Sequence, residues 1–396
     1  MTHLILIAAA FAAADTRFAD VTESHLPSSP ELHSLGSTAV DIDEDGDLDL
    51  ILAVEFGRNL FYRNDGQGKF ENVEGAFADR RHDSEHVEAA DFDGDGHLDL
   101  IFVAEDDRNH EFYLGRGDGT FTEATDRLPG KSEANGLAVG DLNGDGLPDI
   151  FVGNTGSEDR RRGPVSPQNF LWLNDKDNPG HFIDATENLP KLSDQTQSVA
   201  LADVDEDGDL DVILGNEAPP AGLLINDGQG KFIAAEGFAE GLDMHTRQVF
   251  AEDFTGDGHV DLVFFNLTSN AGEYERDPQT IILVGEGSRR YIGETEKNLL
   301  PKNTYSTYSG LPVDLDGDGD LDLVSGAVKI PGFSPDRLRA LINDGKGNFT
   351  DETDAFFPES AVGRNWAIID GDFNGDGKVD LFIGGWGTQA RLLLSQ

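Results

Sequence analysis

The chain has no cysteine, only two methionines and only three tryptophans. Without Cys there can be no disulfide framework, no thiolate metal site and no lipid anchor on an N-terminal Cys. Basic residues are scarce as well: 29 Lys and Arg stand against 76 Asp and Glu, a formal net charge of −47. That balance excludes a nucleic-acid partner, which requires a basic face, and it opposes docking on anionic lipid. Long apolar runs are missing except at Leu4–Ala13, which is too short to span a bilayer, so no membrane insertion is expected. Small residues Ala12, Ala13 and Ala14 follow that core as at a cleavage site, so residues 1–14 read as a signal peptide. The expected address is secreted, periplasmic or cell-surface. No Pro/Ser linker or low-complexity tail breaks the remainder, and residues 15–396 read as one domain, expected to be a monomer.

What is abundant is Asp, and it is periodic. The pattern D-x-[D/N/T]-x-D-G-x-x-D occurs seven times, with spacings of 50, 50, 62, 50, 61 and 58 residues. The oxygen-bearing positions are Asp41, Asp43, Asp45 and Asp49; Asp91, Asp93, Asp95 and Asp99; Asp141, Asn143, Asp145 and Asp149; Asp203, Asp205, Asp207 and Asp211; Asp253, Thr255, Asp257 and Asp261; Asp314, Asp316, Asp318 and Asp322; and Asp372, Asn374, Asp376 and Asp380. Such a loop wraps a hard cation. Alternate side chains of a tight loop converge, and calcium takes six to eight oxygen ligands at roughly 2.3–2.6 Å. Up to seven Ca2+ ions are therefore expected. Thr255 offers the weakest oxygen of the third positions, so the fifth loop should bind least tightly. Gly stands at the sixth position of every copy, where a sharp turn is needed. An EF-hand is excluded, because the loop closes on Asp at nine and is flanked by strand-like rather than helical sequence.

A period near 50 residues signals a solenoid, a propeller or an array. Each loop is followed by a short apolar run such as Leu50–Val54 or Leu262–Phe265, then by a second such as Phe170–Leu173. Asn-Asp-Gly turns at Asn64, Asn226 and Asn343 and Phe- or Tyr-led segments at Phe70, Phe121, Phe182, Phe232, Tyr291 and Phe349 come next. This gives four strands per unit, and seven units make an all-β, seven-bladed β-propeller. The ends support closure. The last copy stops at Leu392–Gln396 without its final Phe-led strand, and Thr16–Thr22 reads like the missing piece. The N-terminal strand should thus complete the last blade and remove an exposed edge.

The loops and their flanking strands resemble the FG-GAP/VCBS repeat family, which includes the seven-bladed head of integrin α subunits. The resemblance covers essentially all of residues 15–396 and implies calcium at the seven loops. It does not imply an activity, because this fold hosts adhesion modules, lectin-like binders and lyases alike.

Strand parity puts the Asp loops and the Asn-Asp-Gly hairpins on one face. The long insertions 153–168, 266–279 and 326–337 fall on the other. Eight residues before the loops stand His33, Asp83, Glu133, Gln195, His245, Ser306 and Arg364; six before stand Leu35, Glu85, Asn135, Gln197, Arg247, Tyr308 and Trp366. These should rim the central opening, and they vary where the rest of the repeat is regular. His245, Arg247, Tyr308, Arg364 and Trp366 are the candidate ligand-binding set, since Arg with aromatics suits sugars and carboxylates. The expected function is a binding or adhesion module for carbohydrate or an extracellular protein. The alternative is a polysaccharide lyase in which Arg neutralises a uronate while His or Tyr moves a proton. No nucleophile, cofactor or phosphate motif accompanies these residues.

Overall fold

The computed structural model describes residues 16–156, 168–242, 244–267, 280–287, 290–293, 299–301, 307–329 and 334–396. The expected signal peptide, most of insertions 153–168 and 266–279, and Ser306 lie outside the described residues. Strands dominate, and the α-helices Thr22–His25 and Thr353–Phe356 are single turns. No helix among the described residues is long and apolar enough to cross a membrane.

The strands pair into successive four-stranded antiparallel sets, each joined in simple up-and-down order. In the first set, Leu32–Val40 pairs with Asp49–Val54, that strand with Leu60–Asn64, and that in turn with Phe70–Asn72. Six further sets follow the same order, beginning at Ser84–Ala90, Ala134–Gly140, Gln195–Ala202, Thr246–Glu252, Thr307–Val313 and Asn365–Gly371. These first strands touch one another in sequence, and the last touches the first. The arrangement is a β-propeller, and the sets are numbered here as blades one to seven.

The second strand of each blade is apolar on both faces because it is covered by the blades on either side. Leu50–Ala53, Leu100–Val103 and Leu262–Phe265 have no exposed surface. This explains why these segments read as unbroken apolar runs rather than as an alternating pattern. The core is accordingly a series of clusters between neighbouring blades. Val87, Leu100 and Tyr113 of blade two, for example, pack with Ile51, Ala53 and Phe61 of blade one.

The last blade is closed as its two ends suggest. Phe18, Ala19 and Asp20 pair with Ser395, Leu394 and Leu393. Phe18 is buried beside Phe357 with ring centroids 5.5 Å apart. Two further ties cross blade boundaries on the insertion-bearing face. The long second strand of blade seven, Asp380–Thr388, reaches the first strand of blade one at Leu32 and His33. Ser334–Arg337, within insertion 326–337, pairs with Val362–Gly363 ahead of blade seven.

Every first strand carries an irregularity at the same place, and Gln195–Ala202 has a second between Gln195 and Thr196. The register shifts fall between Ser34 and Gly36, Ser84 and His86, Ala134 and Gly136, Thr196 and Ser198, Thr246 and Gln248, Thr307 and Ser309, and Asn365 and Ile368. The skipped residues are Leu35, Glu85, Asn135, Gln197, Arg247, Tyr308 and, with Ala367, Trp366. A β-bulge re-aims a side chain and is common beside functional sites. Here seven bulges act on the variable ring.

Removing the clasp at Phe18 should be as damaging as emptying a blade core. Phe18→Ala is expected to cost about 3–5 kcal/mol in urea unfolding. It should also promote concentration-dependent association through the freed edge at Arg391–Ser395. An unchanged unfolding midpoint would show that the ring does not depend on this closure.

Candidate functional site

The Asp loops are pre-shaped by their own side chains. The first Asp of each loop receives backbone N–H groups from across the turn: Asp91 Oδ1 accepts from Gly94 at 2.8 Å and Asp95 at 3.1 Å, and Oδ2 from Gly96 at 3.0 Å. The sixth-position glycines have φ between +81° and +99°. A Cβ there would meet nothing within 4 Å, so backbone conformation rather than space demands Gly.

The ninth Asp does more than close a cage. All seven, from Asp49 to Asp380, have no exposed surface. One oxygen accepts from the end of the third strand: Asn64 at 2.8 Å, Gly115 at 2.8 Å, Asn174 at 2.7 Å, and likewise around the ring to Ser395. In blades two to seven the other accepts from the second loop residue, as Phe92 does to Asp99 at 2.9 Å and Leu142 to Asp149 at 3.0 Å. The ninth Asp thus ties the loop to its own blade.

The Asn of the Asn-Asp-Gly hairpin, read from sequence only as a turn signal, ties the loop to the preceding blade. Asn64 Nδ2 donates to Leu48 O of its own loop at 3.0 Å and to Phe373 O of blade seven at 2.8 Å. Asn174, Asn226 and Asn343 repeat this with Phe92, Leu142 and Phe254. In blades two and five, Gly115 and Gly285 take that position, and a Cβ would meet Leu98 O at 2.0 Å or Val260 O at 2.3 Å. There a His–Glu pair spans the loops instead: His97 Nδ1 lies 2.5 Å from Glu44 and His259 Nδ1 lies 2.6 Å from Glu206. The signal was present in the sequence, since loops one and four carry Glu at the fourth position and loops two and five carry His at the seventh.

The donor set fits a hard cation. In loops one, two, four and six, one carboxylate oxygen from each of three Asp residues lies within 4.8 Å of the others. Asp43 binds Arg63 through Oδ2 at 2.7 Å, while its Oδ1 is buried without a hydrogen-bond partner. Burial, and then the neighbouring loop carboxylates, push Asp43, Asp93 and Asp316 above the usual carboxylate range. In the other three loops Asn143, Thr255 and Asn374 replace one carboxylate.

The opposite face carries the variable ring. All seven bulge residues line a central cavity of about 490 Å3. Among the candidate ligand residues the structure makes two groups. Arg247 pairs with Glu217 through both terminal nitrogens, at 3.3 and 3.1 Å, and Gln197 and Asn135 continue that polar chain. Trp366 stacks on Tyr308 at 3.7 Å and on Trp386 at 5.3 Å between ring centroids. Arg364 lies over Trp386 at 5.2 Å, and the Arg247 guanidinium lies 6.0 Å from Tyr308 and links the groups. Burial pushes the Tyr308 hydroxyl well above its usual range. His245 stands one residue before its strand, half-buried, with its carbonyl accepting from Leu267 at 3.0 Å. Trp386 was not among the candidates. It lies beyond the blade-seven apolar run, and its role depends on the strand extension towards His33.

The buried ninth Asp residues predict a definite pH response. Burial raises Asp49, Asp99 and Asp149 to about 7, and Asp211 and Asp322 to about 6, from 3.8. A raised acid binds its proton more tightly when folded, so this contribution is complete below about pH 4 and is lost as pH rises through 6–7. The melting temperature of chelator-treated protein should therefore fall across that window, and added calcium should restore it at neutral pH. A flat profile that calcium does not alter would contradict the loop assignment.

Comparison with known proteins agrees with this geometry. The FG-GAP-like repeat model matches residues 41–102, 101–152, 203–264 and 314–383. No curated protein matches the chain in sequence. Two crystal structures of BBS1N in complex with ARL6DN, soaked with mercury or with lead, share its fold with TM-scores of 0.53 and 0.54 at 9% identity. They cover 96% of this chain and 97% or 98% of theirs. With the repeat model spanning most of the chain and the strands forming a propeller, the protein belongs to the FG-GAP-like repeat family.

Proposed function

We propose that the chain is an exported, calcium-stapled protein-interaction module that holds its partner on the face opposite the Asp loops. The observation that carries this reading is the ring of bulges. One backbone irregularity, repeated seven times, turns seven different side chains into a single cavity while the supporting framework stays constant. Such variation on a fixed frame suits recognition rather than support. Phe56 belongs to the same face, in the turn after the second strand of blade one. It is 56% exposed and adopts φ +54°, a strained arrangement for an aromatic residue and one that marks a contact point. BBS1N, a propeller of like fold, occurs in complex with the protein ARL6DN.

The aromatic residues favour a protein over a carbohydrate. Trp366 is 6% exposed and spends its faces on Tyr308 and Trp386, leaving little platform for a sugar ring. The same contacts weigh against a uronate lyase, since Arg247 is neutralised by Glu217 and Tyr308 is stacked. Calcium at up to seven loops would stiffen the ring and offset the repulsion among its carboxylates. Export rests on the apolar run Leu4–Ala13 and on the abundance of calcium-ligand loops.

A cross-linking capture and a glycan array, both with calcium, test this reading. Capture of a protein partner should be lost in Phe56→Asp and Arg247→Glu and retained in Ile233→Asp, whose exposed side chain lies on the outer strand of blade four. Binding to a glycan with no protein partner, or capture indifferent to Phe56 and Arg247, would overturn it.

A further inference from the structure

On the channel face, three carboxylates that belong to none of the Asp loops converge from two blades. Glu55 follows the second strand of blade one. Asp83 immediately precedes the first strand of blade two, Ser84–Ala90, and Glu85 is its bulge residue. One oxygen from each lies within 4.8 Å of the others. Asp83 and Glu85 are only 3% and 7% exposed. Asp83 Oδ2 accepts the Asp106 N–H at 2.9 Å, whereas its Oδ1 is buried with no hydrogen-bond partner.

Glu55 Oε2 receives Trp386 Nε1 at 2.5 Å and lies 3.0 Å from His33 Nδ1. Arg108 is engaged by Glu133. Among the described residues no ion pair joins Asp83 or Glu85 to Lys or Arg. The next neighbours are acidic: Asp106 and Asp107 bear on Asp83, Glu105 and Asp106 on Glu85, and Asp83 in turn on Glu105. Burial, and then these charges, raise Asp83 to about 6, Glu105 to about 7 and Glu85 well above its usual range. Buried carboxylates at this separation stay ionised only with a counter-charge among them, and otherwise take up protons.

We propose that Glu55, Asp83 and Glu85 form a divalent-cation site of the calcium class at the channel mouth, separate from the repeat loops. An all-oxygen, acidic donor set is what a hard cation takes, and three protein oxygens leave several of its six to eight positions for water or a partner's oxygen. Asp83 Oδ1 is the donor that the fold leaves without a partner, and Glu55 is held in place by His33 and Trp386. The site does not depend on occupancy of the loops, because the two sets of carboxylates share no residue.

Terbium is the probe, used on the full chain and displaced with calcium. The hydrogen bond from Trp386 to Glu55 places an indole beside the site, so an ion there should emit under indole-selective excitation. Glu85→Gln and Asp83→Asn should each weaken the calcium-displaceable, indole-sensitised emission at least about tenfold, as loss of metal-site groups does. Calorimetric calcium stoichiometry should fall by one. Asp41→Asn, in the first repeat loop, should leave the indole-sensitised signal intact. Both neutral variants relieve repulsion, so their melting temperatures without calcium should equal or exceed that of the parent, which confirms folding; Glu55→Gln provides a third variant. Absence of indole-sensitised emission in the parent at neutral pH, or its persistence in Glu85→Gln and Asp83→Asn, would overturn the proposal.

Discussion

The joint on which each blade depends is a carboxylate sealed from water and gripped by backbone N–H groups. The ninth Asp of every loop bonds the end of the third strand on one side and, in six of the blades, the loop's second residue on the other. Without it the loop would be joined to the blade through its two ends and, where the third strand ends in Asn, through one amide hydrogen bond. Breaking such a joint leaves buried N–H donors unpaired, which costs about 1–3 kcal/mol for each group. On the proposed calcium role, the same residue would also be a ligand of the cation. Folding and metal affinity would then be coupled through one side chain, since what shapes the loop would also prepare the site.

From that joint the loop face is tied to the preceding blade in six of the seven blades by two alternative stitches, blade seven ending its third strand in Ser395. Where a third strand ends in Asn, its amide spans two carbonyls of adjacent blades. Where it ends in Gly, there is no side chain to do so and no room for one, and a His–Glu pair crosses between the loops above. The closeness of the Gly positions to Leu98 O and Val260 O explains why the substitution comes as a set. A Cβ there is excluded, so the tie has to come from the loop itself.

Much of this was legible in the sequence because it is repeated. Seven copies fixed the Asp loops, the strand order and the closure by Phe18–Asp20, since any misassignment would have had to recur at every copy. The ring of variable residues was also found by its constant offset from the loops, although the bulge that turns those residues inward leaves no compositional trace. Three things were not legible. Asn64 and its equivalents looked like turn residues, and their bridging role appears only when the preceding blade is in place. Trp386 and Glu55 lie off the register of the repeat, so counting back from the loops could not reach them. Arg247, Tyr308 and Trp366 were recognisable as a group, but pairing with Glu217 and mutual stacking are decided by side-chain packing across blades, which periodicity does not encode.

The two faces divide the labour of one strand. Each first strand enters at the channel face through a bulge and leaves at the loop face through a cage of Asp residues. Variation is confined to the first end because the second is held by neighbours on both sides. Substituting Leu35, Glu85 or Arg247 for one another changes the cavity without touching a stitch, whereas changing a ninth Asp disturbs its loop and its blade together. Charge follows the same division. Around the channel mouth, acidic residues gather in blades one to three, with Glu55, Asp83, Glu85, Glu105 and Glu133, while Arg247, Tyr308, Arg364 and Trp366 come from blades five to seven. Arg247 is already paired with Glu217 and Glu133 with Arg108, so the asymmetry of the rim rests on Asp83, Glu85 and Glu105 on one side and on the stacked Tyr308 and Trp366 on the other.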